Sequence, residues 1–358
     1  MYLRDLDMDR IVERYELTLA RENHDRPLLH ITCPSGVHKE APPAPAGIRE
    51  RYLAFDWQVD NADAWIQRAA YLYEGFPSMW CNLGPDILTA YTGSEMEFAD
   101  DTVWAKHRVK GWKDEPPLRF QRDGFYWKQM EAFMTLAAER GEGKWVVGSG
   151  DLHTNGDALS ALRGPQNLLL DLYDCPDEVH KRLAEMHQVF LDALDAHFKV
   201  INPGSAGLVS SWLSAACRGR YATIQNDFCY MLSPAMFDEF FKDYVEKESA
   251  ALDWSIYHLD GPGAIPHTES ICAAPHLHAI QWVPGPGGPG YLTQSDYMDL
   301  LKKIQRLGKG LWLYGSPETC LTMARELRPE GCMYNCWLDT KEDAESWAKE
   351  MIRASGSR

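Results

Sequence analysis

Short apolar runs recur along the chain, and the segments between them are long enough for a helix. Each run ends on turn residues or polar side chains. The eight runs occupy residues 27–33, 77–83, 144–150, 206–213, 255–261, 278–285, 310–316 and 332–338. Continuous apolar runs are typical of strands that are buried on both faces, as parallel sheets require. The pattern therefore predicts eight parallel strands.

Segments with helical periodicity lie between the runs, and several begin with recognisable signals. A serine N-cap followed by proline, or a capping box, is typical of the first turn of a helix. These signals are Ser233-Pro234, Ser316-Pro317, and Thr340 with Asp343. Alternation of strand and helix, eight times over, predicts an α/β fold, a single (β/α)8 TIM barrel spanning residues 1–358.

Three segments depart from the simple alternation. Residues 1–26 are charged and amphipathic, and they predict an outer N-terminal helix rather than a signal peptide. Residues 84–143 are a long insertion after the second strand, and residues 214–232 are an extended loop after the fourth.

Composition narrows the classes of partner. The net charge of -16 argues against nucleic acid or an anionic membrane surface as the main partner. The sequence contains no run of 18 apolar residues, so it predicts no membrane-spanning helix. The nine cysteines follow no disulfide framework, which favours reduced thiols and a cytoplasmic location.

The fifth apolar run ends on two residues that are costly to bury, His258 and Asp260. In a TIM barrel the chemistry lies at the carboxyl ends of the strands. Residues two apart on a strand point to the same side, so both side chains could face the barrel axis. Aspartate is rarely buried without a partner, which makes this pair the strongest candidate for a functional site.

Other predicted strand ends offer polar and aromatic side chains. The candidates for catalysis are Asp151, His153, Asp227 and Gln281. The candidates for substrate contact are Asn82, Trp212 and Trp282. Asp151 and Asp227 could instead cap turns, and each tryptophan could simply pack in the core.

A single metal ion could be ligated by side chains from several of these strand ends. His258, Asp260 and Cys336 offer nitrogen, oxygen and thiolate ligands, and zinc accepts such a mixed set with one open position. Asp260 could instead orient His258, with Cys332 as a further ligand. In a metal-free protein, His258 and Asp260 would form an acid/base pair.

Motifs for other cofactors are missing from the sequence. It contains no P-loop, no dinucleotide fingerprint and no Gly-x-Ser-x-Gly elbow. We therefore expect no dependence on pyridoxal phosphate, flavin or nicotinamide.

Three segments resemble the uroporphyrinogen decarboxylase superfamily. They are LRGPQNLLLDLYDCPDEVHKRL (162–183), LSPAMFDEFFKDYV (232–245) and YHLDGPGAIPH (257–267). The resemblance spans most of residues 140–350 and is nearer to the corrinoid-dependent methyltransferases. Those enzymes carry a His-x-Cys zinc pair where His258 and Asp260 lie, and a third cysteine about where Cys336 lies.

Two departures from the family pattern qualify the resemblance. The true decarboxylases bind several substrate carboxylates with an arginine-bearing loop after the first strand. Here that segment, residues 32–47, contains no arginine, and the next one is Arg49. Asp260 also replaces the cysteine of the zinc pair, and carboxylate is a harder ligand than thiolate.

The resemblance implies a metal-dependent methyltransferase or demethylase. Such an enzyme would transfer a methyl group between a small methylated substrate, which could be aromatic, and a corrinoid carried by a partner protein. The first alternative is a metal-independent decarboxylase or lyase of a small carboxylic acid, in which Asp227 or Asp151 handles the proton. The second is a barrel that binds a small ligand without catalysis.

Overall fold

The strands of the protein are short and mostly parallel. The structure, a computed structural model, describes residues 1–204, 207–285 and 292–356. Within them the strands are β1 (Leu28–Pro34), β2 (Ala69–Tyr73), β3 (Ser78–Trp80), β4 (Met96–Phe98), β5 (Val103–Ala105), β6 (Val146–Gly148), β7 (Leu208–Val209), β8 (Cys217–Arg218), β9 (Tyr221–Gln225), β10 (Trp254–Asp260), β11 (Ala279–Val283), β12 (Gly310–Tyr314) and β13 (Cys332–Trp337).

Helices connect these strands. They are α1 (Met8–Leu19), α2 (Ile48–Leu53), α3 (Phe55–Arg68), α4 (Ile87–Ala90), α5 (Phe125–Gly141), α6 (Asn155–Arg163), α7 (Pro165–Asp174), α8 (Pro176–Gly204), α9 (Pro234–Phe240), α10 (Lys242–Ala250), α11 (Thr268–Cys272), α12 (Met298–Arg306), α13 (Pro317–Glu326) and α14 (Lys341–Gly356). A short 3-10 helix, Asp227–Met231, follows β9.

The predicted helix starts are confirmed by their cap hydrogen bonds. The Ser233 side chain accepts from the backbone N–H of Met236 at the start of α9. Ser316 caps α13 in the same way, and Thr340 Oγ1 accepts from the backbone N–H of Asp343 at 3.0 Å. Each cap satisfies a backbone donor that the first turn would otherwise leave without a partner.

The central sheet has seven strands in the order β2-β1-β13-β12-β11-β10-β9. All neighbours in it are parallel except β1 and β2, which pair antiparallel. The parallel strands carry near-continuous burial, as expected for a sheet with both faces covered. An α/β fold with a mostly parallel sheet is therefore present.

Two further strands, β3 and β6, form a separate parallel pair. Gly148, at the end of β6, makes a parallel bridge to Ser210 just after β7. Among the residues that the structure describes, no strand ladder joins this pair to the seven-stranded sheet. The sheet is therefore not closed by hydrogen bonds into a complete barrel.

The predicted fourth strand, residues 206–213, differs from the observed one, and its residue 206 lies outside the described ranges. The described part contains β7, which pairs antiparallel with β8 as a small hairpin. The strand that pairs with β10 is β9, which falls inside the segment 214–232 predicted as a loop. Gly219, with φ of +84°, forms the turn that separates β8 from β9.

The other two unusual segments also have defined structure. The predicted outer helix of residues 1–26 corresponds to α1, whose Tyr15 is buried and lies 2.8 Å from Nδ1 of His30 in β1. The segment 84–143 contains α4, the β4–β5 hairpin and α5. In the described part of the chain, no helix is both long and apolar enough to cross a membrane.

Candidate functional site

Polar side chains converge at the carboxyl ends of β9, β10 and β11. In the ladder, His258 is aligned with Gln225 on one side and with Gln281 on the other. Aligned residues of neighbouring strands point to the same face, and Asp260, two residues after His258, shares that face. Asp227 lies two residues after the end of β9. The fold thus assembles a polar site from three adjacent strands.

Two neighbouring cavities open at this end of the sheet. The first, about 350 Å³, is lined by six of the residues predicted from the sequence. These are Asn82, Asp151, His153, Trp212, Asp227 and His258. The second, about 450 Å³, shares His153 and Asp227 with the first, so these two side chains form a common wall.

His153 is held by a carboxylate within that wall. Its Nε2 lies 3.0 Å from Oδ2 of Asp151, and its Nδ1 lies 3.3 Å from Nε2 of Gln225. Burial acts to lower the pKa of His153, but Asp151, followed by Asp157 and Asp227, raises it to about 10. The neighbouring carboxylates therefore favour the protonated ring, whereas the amide N–H of Gln225 requires a lone pair on Nδ1.

Asp157 and Asp227 form a second pair of acidic groups. Asp157 accepts hydrogen bonds from the backbone N–H groups of Asp227 and Phe228, at 2.9 and 2.7 Å. Burial and the charge of Asp227 raise the pKa of Asp157 to about 7. Burial also raises the pKa of Asp227 to about 6, against the opposing effect of His153. A bound cation would keep both carboxyl groups ionised.

His258 has a defined orientation. Its Nδ1 lies 2.5 Å from Oε1 of Gln281, and its ring packs edge-on against Trp212 with centroids 5.0 Å apart. Because an amide oxygen only accepts, Nδ1 must donate. Burial lowers the pKa of His258 despite the hydrogen bond to Gln281. A neutral ring with its proton on Nδ1 leaves the lone pair of Nε2 available as a ligand.

A metal ion fits beside His258. Asp227, His258 and Asp260 each offer one ligand atom, and these atoms lie within 4.8 Å of one another. Oδ1 of Asp227 and Oδ1 of Asp260 are buried, and neither has a hydrogen-bond partner among the described residues. Buried carboxylate oxygens without donors are costly, and a divalent cation would offset that cost.

Cys336 lies on the other face of the sheet. The ladder aligns Ile280, through Leu311, with Cys332. Ile280 precedes Gln281, so Cys332 and also Cys336, four residues further, point away from the face that carries Gln281. The structure therefore does not bring Cys336 to His258.

The surroundings of Cys336 are those of a packed thiol. Its Sγ lies 3.5 Å from the carbonyl oxygen of Gly315. A hydrogen bond with Cys320 of α13 holds the pKa of Cys336 below its usual value, although burial acts in the opposite direction. Cys332 lies 3.4 Å from Nε2 of Gln305, so it also packs towards the helices.

Of the two predicted substrate contacts Trp282 and Asn82, only Asn82 lines one of the two cavities. Trp282 is fully buried and packs on Tyr297, with ring centroids 4.9 Å apart, on the face opposite Gln281. It lines neither of the two cavities. Asn82 lines the first cavity, where its Oδ1 accepts from the backbone N–H of Gly84 at 2.8 Å.

Asp157, Gln225 and Glu248 were not assigned roles from the sequence. Asp157 lies in the first turn of α6, where an acidic residue usually complements the helix dipole. Gln225 ends β9, in the segment predicted as a loop. Glu248 is fully buried on α10. Its spacing from Tyr244 and Val245 places it on the buried face of that helix, and this spacing could have predicted its burial from the sequence.

Glu248 fixes the start of α6. Its carboxylate accepts hydrogen bonds from Oγ1 of Thr154 and from Nδ2 of Asn155 at 3.2 Å. Asn155 has φ of +38°, an uncommon conformation for a residue other than glycine. These contacts anchor the loop that carries Asp151 and His153.

The two cavities have an acidic and aromatic lining. Neither is lined by any lysine or arginine of the described residues. Tyr52, Trp80 and Trp212 line the first, and Trp104 lines the second. An anionic substrate would find few partners here, whereas an apolar or cationic group would find several.

Comparison with known proteins shows a likeness in structure. No protein-family model and no curated protein matches the sequence. The structure is similar to that of a methyltransferase from Methanosarcina mazei, with a TM-score of 0.62 and 11% identity over 97% of this chain and 98% of that one. At this identity the likeness shows a shared fold.

Proposed function

We propose that the protein is a metal-dependent methyltransferase or demethylase. The observation that carries the proposal is His258, whose Nδ1 is engaged by Gln281 and which offers a ring nitrogen within 4.8 Å of ligand atoms of Asp227 and Asp260. A metal-ligating histidine almost always donates its other ring N–H to an oxygen acceptor. The likeness in fold to a methyltransferase supports the reaction class.

His258, Asp260 and Asp227 would hold the metal, with zinc the favoured ion. Asp227 takes the place that the sequence assigned to Cys336. Imidazole with two carboxylates also suits manganese or ferrous iron. When bound, the metal would act as a Lewis acid on a substrate oxygen or thiol.

The protein's own residues would bind and orient the substrate. Trp212, Tyr52 and Trp80 offer an apolar wall suited to a small aromatic or methylated group. Asn82 is a neutral polar group in that lining. Gln281 is a positioning residue, because it acts through His258.

The His153–Asp151 pair would manage charge during methyl transfer. Asp151 accepts the Nε2 proton of His153 and so fixes the ring. The positive charge of His153, at the wall shared by the two cavities, would stabilise negative charge that develops on a departing substrate oxygen.

A (β/α)8 barrel arrangement of the strands, although no ladder closes it among the described residues, is part of the proposal, since the active site would lie at the carboxyl ends of its strands. The corrinoid carried by a partner protein also remains a proposal, drawn from the resemblance in residues 140–350. A cytoplasmic location is the setting expected for such a pair of proteins.

Methyl transfer to cob(I)alamin tests this function. Formation of methylcobalamin from a series of aryl methyl ethers can be followed by visible absorbance. We expect turnover in the wild type and its loss in His258→Ala, with the exposed His24→Ala as the matched control. Equal turnover in wild type and His258→Ala would contradict the role of His258.

Decarboxylation is the second candidate, because Asp227 has a pKa of about 6 and could deliver a proton. The lining without lysine or arginine disfavours it, since a substrate carboxylate would meet acidic groups. Release of carbon dioxide from small acids by metal-free protein would favour this candidate over methyl transfer.

A further inference from the structure

Two groups of potential ligands share one residue at the wall between the cavities. Besides Asp227, His258 and Asp260, a second set consists of His153, Asp157 and Asp227. In each set the ligand atoms lie within 4.8 Å of one another. Asp227 belongs to both, and a carboxylate has two oxygens that can serve two metal ions.

We propose that His153, Asp157 and Asp227 hold a second divalent cation, so that Asp227 bridges two metal ions. The inference rests on the proposed function for the first ion, at His258 and Asp260. The second ion extends that site into a two-metal centre, for which nitrogen and oxygen ligands suit zinc, manganese or ferrous iron.

His153 has the environment of a metal ligand. Its Nε2 is paired with Oδ2 of Asp151 at 3.0 Å, so Nδ1, now 3.3 Å from Nε2 of Gln225, is the atom that would bind the ion. This is the same arrangement that Gln281 imposes on His258 with the ring nitrogens exchanged. A carboxylate behind the imidazole fixes the tautomer and makes the ring a stronger ligand.

Gln225 has a buried polar atom without a hydrogen-bond partner among the described residues, which is an independent observation in favour of a bound cation. It is 3% exposed and lines the cavity beside His153 and Asp227. Its Nε2 donates to Oδ2 of Asp227 at 2.9 Å, whereas its buried Oε1 has no hydrogen-bond partner in the described part of the chain. Nε2 also lies 3.3 Å from Nδ1 of His153, so half a turn of the amide would present this oxygen to a cation beside His153 and Asp227 as a further ligand.

Asp157 remains able to bind a cation although both of its oxygens are engaged. Each oxygen accepts one backbone N–H, from Asp227 or from Phe228. A carboxylate offers about four lone-pair sites, so each oxygen keeps one free. The two N–H bonds also fix the carboxylate in place and reduce the entropy that binding would cost.

The shared bridge has a chemical consequence. Paired metal ions about 3.5–4 Å apart clamp an oxygen substrate from two sides. In this protein the second ion would replace the His153 proton as the positive charge in the common wall. The substrate class would then be a small molecule with an oxygen atom that can contact both ions, such as an ortho-oxygenated aryl methyl ether.

Manganese loading of the full chain tests the inference. We expect two Mn²⁺ per chain and an exchange-coupled electron paramagnetic resonance spectrum. Asp157→Asn and, separately, His153→Gln should each lose one equivalent and the coupling, while the exposed Asp9→Asn keeps both. His153→Gln serves if Asp157→Asn disturbs the backbone that Asp157 caps, and circular dichroism checks both variants.

The outcomes separate this inference from the proposed function. One ion that His258→Ala removes, but Asp157→Asn and His153→Gln do not, overturns the second site and leaves the first. One ion that responds only to Asp157→Asn and His153→Gln overturns both the proposed first site and the bridge. A chain that binds no manganese at all overturns both proposals.

Discussion

At the scale of single residues, Gln281 determines the tautomer and the orientation of the His258 ring. Its amide oxygen requires a proton on Nδ1, and burial keeps the ring neutral. The ring is thereby prepared as a ligand before any metal arrives. A fixed tautomer and orientation reduce the cost of binding.

Removing the amide acceptor should weaken metal binding. We expect Gln281→Leu to lower the metal affinity by about 10–100-fold, the usual effect of losing a partner that orients a ligand. Gln281→Glu keeps an oxygen acceptor and should bind the metal at least as tightly as the wild type. Competition against a chelating indicator measures both affinities.

The control for this experiment is another glutamine. Gln188, exposed on α8, can be changed to leucine without altering the cavity. An affinity in Gln281→Leu equal to that of Gln188→Leu would mean that the amide has no role in metal binding.

Glu248 illustrates how a buried acid links stability to pH. Burial raises its pKa to about 8, although the hydrogen bonds from Thr154 and Asn155 act to lower it. Its pKa in the unfolded chain is near the ordinary 4.5. Between these values the folded state holds a proton that the unfolded state has lost, so this group makes the protein less stable as pH rises.

Glu248→Gln should flatten that dependence. The variant keeps an oxygen to accept from Thr154 and Asn155 but has no charge to bury. We expect its free energy of unfolding to exceed that of the wild type increasingly from pH 5 to pH 8, by on the order of a few kcal/mol. Urea denaturation across this range measures it, and parallel curves for the two proteins would refute the assignment.

At the scale of strands, the two-residue period determines which side chains share the site. The sequence correctly predicted that His258 and Asp260 share a face, because that requires only their spacing. It could not place Cys336, because the facing of a distant strand depends on its register. The observed register turns Cys336 towards Cys320 and the helices.

The orientation of Cys336 predicts that substituting it leaves the metal content unchanged. Cys336→Ser should retain the metal content of the wild type, because the thiol lies on the opposite face of the sheet from Gln281. His258→Ala should lose the ion that His258 ligates. Inductively coupled plasma mass spectrometry of the purified variants measures both, and joint loss of metal would restore Cys336 as a ligand.

The fourth strand shows another limit of sequence patterns. The segments 206–213 and 221–225 are both apolar, and periodicity cannot tell which one joins the main sheet. Pairing with β10 selects β9, while β7 turns into a hairpin with β8. The consequence is functional, since β9 positions Gln225 and Asp227.

At the scale of the whole molecule, the parallel succession of β10 to β13 was predictable, whereas the antiparallel β2 and the separate β3–β6 pair were not. Parallel strands bring their carboxyl ends to one edge, so polar residues that follow different strands meet there. The contribution of Asp157 could not be predicted from the sequence, because its carboxylate is placed at the site by hydrogen bonds from the backbone of the 3-10 helix after β9. The burial of Glu248 also depends on how α10 packs.

Charge was informative at this scale too. The net charge of -16 does not by itself identify an enzyme class. The distribution of the charge is more informative, because several acidic groups lie at the wall shared by the two cavities. His153 offsets part of this charge. A bound cation would offset more, and this requirement links the fold to the proposed chemistry.

The most direct test of the account is the metal content of wild-type protein purified without chelator, measured together with methyl transfer before and after chelation. The account predicts at least one divalent transition-metal ion per chain, lost together with turnover on chelation, and one ion fewer in an inactive His258→Ala. A metal-free wild type whose turnover does not change with chelator would contradict it and leave His258 and Asp260 as an acid/base pair.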